Sequence, residues 1–186
     1  MTPQQLIESL GEKFEAFDRI IKKFHLEKIK TIGDSYMCVG GLPVQNRTHA
    51  VDAVLAGSAM IDYLKNTPPE KEPARPWEIR IGIHSGQLIA GIIGNFRFAY
   101  DVWGDTVNVA SRMERSGVSG RVNISRSTYD LIKDLFDCER RGLVKVKNKG
   151  EMEMFLVTGI KLSLHNEGVP NEKFWAMYEE LKQLPE

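Results

Sequence analysis

The sequence LEKIKTIGDSYMCVG, residues 26–40, contains the pattern that decides the fold. Apolar and charged residues alternate through residues 26–32, which is typical of a half-buried strand. Gly33-Asp34 is a hairpin-turn signal, and residues 35–40 return as a partner strand. The segment therefore predicts a β-hairpin that displays the carboxylate of Asp34 at its turn.

Helical patterns flank this hairpin on both sides. Before it, Thr2-Pro3 marks a helix start, and apolar residues recur every three or four positions as far as Phe24. After it, residues 49–65 fit a second amphipathic helix. Helices that alternate with hairpins favour an α+β layer, in which helices cover one face of a mainly antiparallel sheet.

The remainder of the chain continues this alternation. Residues 67–76 hold four prolines and predict a surface loop. Asn171 can cap a final helix that follows a loop-like stretch at residues 161–170. Further strands are predicted at residues 77–83, 87–93, 121–125, 141–146 and 151–157, and further helices at residues 106–116 and 127–135.

Composition limits the class of protein. The chain has 186 residues, of which 42% are hydrophobic and 27% charged, and this suits one globular core. Its 25 basic and 25 acidic residues give a net charge of zero, which argues against a nucleic-acid polymer as a partner. Cys38 and Cys138 fit neither a disulfide framework nor a metal-ligand spacing. We expect a reducing compartment.

Two residues that are distant in sequence suit the recognition of a nucleobase. Lys30 lies in the first strand of the predicted hairpin, and Asp101 lies in the stretch YDVW at residues 100–103. A lysine donor and an aspartate acceptor complement the ring nitrogen and the exocyclic amine of adenine. The residues alone leave open that Lys30 is a solvated edge-strand lysine and Asp101 a loop acid.

Three further positions suit the binding of phosphate and metal. Asn108 and Arg112 are four residues apart, so they share one face of a helix, and the guanidinium fork of Arg112 suits phosphate. An exposed polar helix face remains the alternative. Asp34 could bind Mg²⁺, although its turn propensity alone would also explain it. His84 has no catalytic partners in the sequence, so we expect a core or turn role for it.

The sequences of residues 30–34 and 100–112 resemble those of the class III adenylate and guanylate cyclase catalytic domains, specifically of the adenylate cyclase branch. The likeness extends from about Thr2 to about Gly159. It implies a ferredoxin-like, palm-type βαββαβ core, with a catalytic domain at residues 1–160 and a tail with a short helix at residues 161–186.

The resemblance also implies a reaction and a role for each candidate residue. The reaction is the conversion of ATP to 3′,5′-cyclic AMP and pyrophosphate, with two Mg²⁺ or Mn²⁺ per site. Asn108 would orient the ribose and Arg112 would stabilise charge on the α-phosphate. The substrate-binding residues would be Lys30, Asp101 and Lys147, the last at the terminal phosphates. Asp34 would be a metal ligand.

The resemblance also implies a homodimer with active sites at its interface. It further implies a regulatory or sensor domain in the parent protein. We expect a cytoplasmic location, which would also fit the cytosolic domain of a membrane-bound parent. Asp34 of one subunit would face five residues of the other subunit, namely Lys30, Asp101, Asn108, Arg112 and Lys147. The family carries a second metal carboxylate on a strand before the first helix, and that strand is absent from this chain. Asp18, within the helix, is not a substitute. Activity of the chain alone is therefore left open.

Two alternatives remain. The first is a non-catalytic module of the same fold that binds a nucleotide or dimerises, which the presence of Lys30, Asp101, Asn108 and Arg112 disfavours. The second is a guanylate cyclase. In that branch the Lys30 position tends to carry Glu and the Asp101 position Cys or another small group, so this chain fits it less well.

Overall fold

The structure, a computed structural model, describes residues 2–67, 77–94, 98–147 and 149–183. The helices are α1 (Pro3–Lys23), α2 (His49–Lys65), α3 (Asp105–Arg115), α4 (Arg126–Ile132) and α5 (Glu172–Gln183), with a 3₁₀ turn at Leu162–Leu164. The strands are β1 (Leu26–Ile32), β2 (Ser35–Gly40), β3 (Ile81–Ile83), β4 (Ile89–Ile93), β5 (Ala99–Trp103), β6 (Val122–Ser125), β7 (Phe136–Val146), β8 (Gly150–Ile160), β9 (His165–Asn166) and β10 (Val169–Pro170).

The first helix begins where its capping signal predicts. The hydroxyl of Thr2 accepts a hydrogen bond from the backbone N–H of Gln5 at 3.2 Å, and the Gln5 side chain accepts one from the backbone N–H of Thr2 at 2.8 Å. This reciprocal pair satisfies two backbone donors that a helix start leaves free. The buried stripe of α1 then includes Phe17 and Ile21.

The strands form one four-stranded sheet and three hairpins. The sheet has the order β3-β6-β8-β7, in which β3 and β6 are parallel and the other pairs antiparallel. The hairpins are β1–β2, β4–β5 and β9–β10. The predicted α+β class with a mainly antiparallel arrangement is therefore confirmed.

Helix α2 connects the β1–β2 hairpin to the four-stranded sheet. Val51 and Val54 on one side of α2 belong to the core that includes Ile124 and Phe155 of the sheet. Ala56 and Met60 belong to a second core with Leu26 and residues of α1. One helix thus buries apolar surface of both β structures, and it sets the position of the hairpin relative to the sheet.

Helix α3 packs on the opposite face of the four-stranded sheet from α2, so helices lie on both faces of this sheet and not on one face as the sequence predicts. Its buried residues Val109 and Met113 contact Met154, whereas the neighbouring Phe155 faces the core around α2. The side-chain amide of Asn123 donates to the carbonyl oxygen of Met113 at 2.8 Å and fixes α3 on β6. Consecutive strand residues point to opposite faces, which explains both contacts.

Some predicted elements differ from the observed ones. Residues 99–103 form strand β5, which the sequence prediction did not include; its antiparallel pairing with β4 defines it. Strand β3 covers only the last part of the predicted strand at 77–83, and β7 and β8 are longer than predicted. Most of the predicted loop at 67–76 lies outside the described residues.

We predict that Gly82→Ala lowers the free energy of unfolding by about 3 kcal/mol. A Cβ on Gly82 would lie 1.9 Å from the backbone nitrogen of Glu114 in α3, so the helix would have to move off β3. Urea denaturation measures the effect. Gly159→Ala is the matched control, because a Cβ there meets no atom within 4 Å. Equal stability of the two variants would contradict the close contact between α3 and β3.

Candidate active site

A β-bulge in β1 separates the side chains of Lys28 and Lys30. Lys28 pairs in register with Cys38, but Lys30 pairs with Met37, so Ile29 is an extra residue. Simple alternation would place both lysines on one face of the hairpin. The bulge places them on opposite faces, as bulges near functional sites often do. The strand is also more exposed than the predicted half-buried one: Leu26 is buried, but Ile32 is 61% exposed.

Lys30 and Asp101 are adjacent in the folded chain. The Lys30 Nζ atom donates to Asp101 Oδ2 at 2.6 Å, across a sequence separation of 71 residues. Their side chains are 41% and 21% exposed, so both groups can reach a ligand from solvent. The structure therefore brings together the two residues that the sequence predicts for base recognition.

The environment of Asp101 keeps its carboxyl ionised. The hydrogen bond from Lys30, followed by one from the backbone N–H of Val102 at 2.8 Å, lowers the Asp101 pKa below its usual value of 3.8. An ionised carboxylate can only accept hydrogen bonds, whereas the ammonium group of Lys30 can only donate. The pair thus presents one donor and one acceptor side by side.

Strand β5 leads directly into α3 and so connects Asp101 to Asn108 and Arg112. Gly104 makes this junction with a φ of 137°, a left-handed conformation that favours glycine. Asn108 is exposed and Arg112 is half-buried. Neither side chain forms an ion pair or hydrogen bond with another described residue, so both remain available to a ligand.

The turn between β7 and β8 lies against the start of α3. Lys149 forms an ion pair with Asp105, the first residue of α3. Lys147, the predicted phosphate ligand, lies exposed in the same turn. Asp105 was not predicted from the sequence, in which its position after Gly104 at a predicted helix start was its only signal. This ion pair brings the turn of Lys147 towards the helix of Asn108 and Arg112.

Asp34 lies exposed in the β1–β2 turn. Among the described residues, no group of three or more His, Cys, Asp or Glu side chains could hold a metal ion. Asp18 is engaged elsewhere, since it accepts hydrogen bonds from Lys28 at 2.8 Å and from the Tyr36 hydroxyl at 2.6 Å. Burial raises the Asp18 pKa, but these hydrogen bonds outweigh it and lower the pKa overall. Asp34 is therefore the single predicted metal ligand that the described residues supply.

His84 has a structural role, as the sequence predicts, because its ring contacts hydroxyl groups at the start of α4. Its Nδ1 atom lies 2.8 Å from the hydroxyl of Ser125 and 3.1 Å from that of Ser127. Burial lowers the His84 pKa, which favours the neutral imidazole. These contacts connect the loop after β3 to the start of α4.

We predict that Lys30→Ala raises the pKa of Asp101 towards 3.8, because the substitution removes the hydrogen bond from Lys30, which contributes most to the lowered pKa. The depressed pKa means that the ion pair contributes to stability above the unfolded pKa. That contribution is lost as the pH falls through the folded pKa. Carboxyl carbon NMR titration measures the shift. The control is Lys28→Ala, on the opposite hairpin face; an unchanged Asp101 pKa in Lys30→Ala would contradict the contact.

No helix among the described residues is long and apolar enough to cross a membrane.

Comparisons with known proteins agree on one family. The family model described as the adenylate and guanylate cyclase catalytic domain matches residues 1–159. Guanylate cyclase 32E of Drosophila melanogaster is 38% identical over 160 residues, which are 84% of this chain and 14% of that protein. An adenylate cyclase of Mycobacterium tuberculosis is 39% identical over 162 residues, which are 87% of this chain and 36% of that protein. The chain thus spans a minor part of the length of these relatives.

A solved structure supports the same assignment. The guanylate cyclase domain of RhGC from Catenaria anguillulae, in complex with GTP, superimposes with a TM-score of 0.80 at 34% identity and covers 87% of each chain. The predicted palm-type fold is confirmed. The chain belongs to the family of adenylate and guanylate cyclase catalytic domains.

Proposed function

We propose that this cyclase domain converts ATP to 3′,5′-cyclic AMP and pyrophosphate. The observation that carries the proposal is the contact of 2.6 Å between Lys30 Nζ and Asp101 Oδ2, on a surface open to solvent. Adenine offers a ring-nitrogen acceptor and an exocyclic-amine donor, which a lysine and an ionised aspartate complement. Guanine carries a carbonyl acceptor where adenine carries the amine, so the carboxylate of Asp101 would meet a second acceptor.

The remaining candidate residues act on the sugar and the phosphates. Asn108 orients the ribose so that its 3′-hydroxyl faces the α-phosphorus. The hydroxyl loses its proton to solvent water, and a bond forms from O3′ to the α-phosphorus. The bond from the α-phosphorus to the bridging oxygen breaks, and that oxygen leaves with the electron pair as part of pyrophosphate. Arg112 stabilises the charge that develops on the α-phosphate, and Lys147 binds the terminal phosphates. Most of the rate enhancement comes from positioning and charge stabilisation.

Metal ions and a second subunit complete the proposed site. Cyclase domains of this family generally use divalent metals, and we expect two Mg²⁺ or Mn²⁺ per site. Asp34 supplies one carboxylate, which does not suffice for two ions. We propose a homodimer in which Asp34 of one subunit faces Lys30, Asp101, Asn108, Arg112 and Lys147 of the other. We also propose a cytoplasmic location for the domain, a sensor domain in the parent protein, and a domain boundary after residue 160.

Guanylate cyclase is the second candidate, because the similar proteins include both kinds of cyclase. The Lys30–Asp101 pair favours ATP over GTP. A non-catalytic module of the same fold is disfavoured by the exposure of Asn108 and the free guanidinium group of Arg112, which have no structural partner among the described residues. Polar side chains without a structural partner are available to bind a ligand.

We predict that Arg112→Ala lowers cyclic AMP turnover by about 100-fold to 1,000-fold, because it removes a donor that acts on transition-state charge. The assay uses ATP with Mg²⁺ or Mn²⁺ and compares this chain with a form extended at its N-terminus by the strand that the resemblance predicts. Arg115→Ala, on the same helix, is the control with unchanged turnover. Unchanged turnover in Arg112→Ala would refute the assigned role, and ATP binding without turnover in either form would favour the non-catalytic module.

We further predict that Lys30→Glu combined with Asp101→Cys erodes the preference for ATP over GTP, because the donor and the acceptor that match adenine are both removed. The ratio of kcat/KM for the two nucleotides measures the preference. The control is Lys28→Glu, which reverses a charge on the same strand but on the opposite hairpin face. If the double variant keeps the ATP preference of the parent chain, Lys30 and Asp101 do not read the base.

A further inference from the structure

Helix α5 lies beyond the residues that match the cyclase family, yet it is part of the main core. The family match ends at residue 159. Phe174 on α5 is fully buried, and its ring packs edge-to-face on Phe136 with a centroid distance of 5.9 Å. Asn171 caps the helix by accepting from the backbone N–H of Phe174 at 3.1 Å, and its own backbone N–H donates to the carbonyl oxygen of Leu164 at 3.0 Å. These contacts hold α5 in one position.

A buried carboxylate connects α5 to α2. Asp52, in the first turn of α2, is 1% exposed. The hydroxyl of Tyr178 on α5 donates to Asp52 Oδ1 at 2.7 Å, and the hydroxyl of Thr48 donates to Oδ2 at 2.7 Å. A buried carboxylate without donors is costly, so Asp52 strongly favours the arrangement in which α5 is docked.

Asp52 lies beside the base of the β1–β2 hairpin. At the end of β2, a Cβ on Gly40 would lie 3.0 Å from the carbonyl oxygen of His49, the first residue of α2. Leu26 and Gly40 are partners in the β1–β2 register. The open ends of both hairpin strands therefore meet the first turn of α2.

We propose that Tyr178 is a positioning residue: through Asp52, α5 holds the first turn of α2 and with it the base of the hairpin that carries Lys30 and Asp34. The importance of those two residues rests on the proposed function. When α5 is docked, the hairpin is held where Lys30 reaches Asp101. When α5 is displaced, the same hairpin loses the support of its base, so a segment outside the cyclase match controls the geometry of the site.

Hydrogen–deuterium exchange of the intact chain tests the coupling without requiring activity. We expect Tyr178→Phe to accelerate exchange in α5, in the first turn of α2 and in residues 26–40 by about fivefold, as loss of one hydrogen bond implies. The slowest amides of β7 and β8, which report global unfolding, should keep their rates. Tyr129→Phe is the matched control, since its ring stacks on Phe155 and its hydroxyl has no hydrogen-bond partner among the described residues.

Two outcomes of this comparison would overturn the proposal. Acceleration confined to α5 would mean that the helix docks without influence on the hairpin. Equal acceleration in the hairpin and in the slowest amides of β7 and β8 would mean that Tyr178 stabilises the whole fold rather than positioning one part of it.

A second arm adds ATP with Mg²⁺ and separates the coupling from the proposed function. Coupling between two sites is reciprocal, so ATP should slow exchange in both the hairpin and α5 of the parent chain. In Tyr178→Phe it should slow exchange in the hairpin alone. Protection of the hairpin without protection of α5 in the parent chain would overturn the coupling. Absence of ATP protection anywhere would overturn the nucleotide site, while the first arm still decides the coupling.

Discussion

The burial of α2 is the constraint on which the rest of the structure depends, because two separate β structures place apolar surface against this one helix. Val51 and Val54 pack on the four-stranded sheet, and Ala56 and Met60 pack towards the β1–β2 hairpin and α1. Full burial of a single side chain such as Val54 contributes about 1.5–3 kcal/mol. The hairpin makes no ladder hydrogen bonds to the four-stranded sheet within the described residues, so side-chain packing on α2 sets their relative position.

The candidate site is assembled from elements on two sides of this framework. The hairpin contributes Lys30 and Asp34, whereas β5 and α3 contribute Asp101, Asn108 and Arg112. Helix α3 lies on the sheet face opposite α2 and is fixed there by the Gly82 contact and by Asn123. The ion pair of Lys30 with Asp101 is the direct polar contact between the two parts. A change in the hairpin position would therefore act directly on the Lys30–Asp101 ion pair.

The C-terminal helix extends this dependence beyond the family match. Its contacts with α2 lie at the opposite end of the hairpin from the Asp34 turn. A buried hydrogen bond to a carboxylate is specific in direction and distance, unlike the apolar packing around Phe174. A single hydroxyl on α5 can thus define the docked position more sharply than the surrounding core does.

The elements themselves were largely predictable from the sequence. The bounds of β1, β2 and α2 agree with the prediction, because turn signals and apolar periodicity act over a few residues and need no distant partner. The sequence also predicts the candidate residues: five of the six lie within residues 30–34 and 100–112, and Lys147 lies shortly before Gly150. Strand β5 was missed, since the pairing that defines it comes from β4 rather than from its own composition.

What the sequence by itself determined is the set of chemical groups and the local elements that carry them. Only the tertiary structure decided their arrangement. Alternation would place Lys28 and Lys30 on the same face, and the bulge at Ile29 separates them, so that Lys28 contacts Asp18 and Lys30 contacts Asp101. The physical reason is that a bulge arises from the mismatch between two paired strands, and an ion pair across 71 residues depends on where packing places each strand.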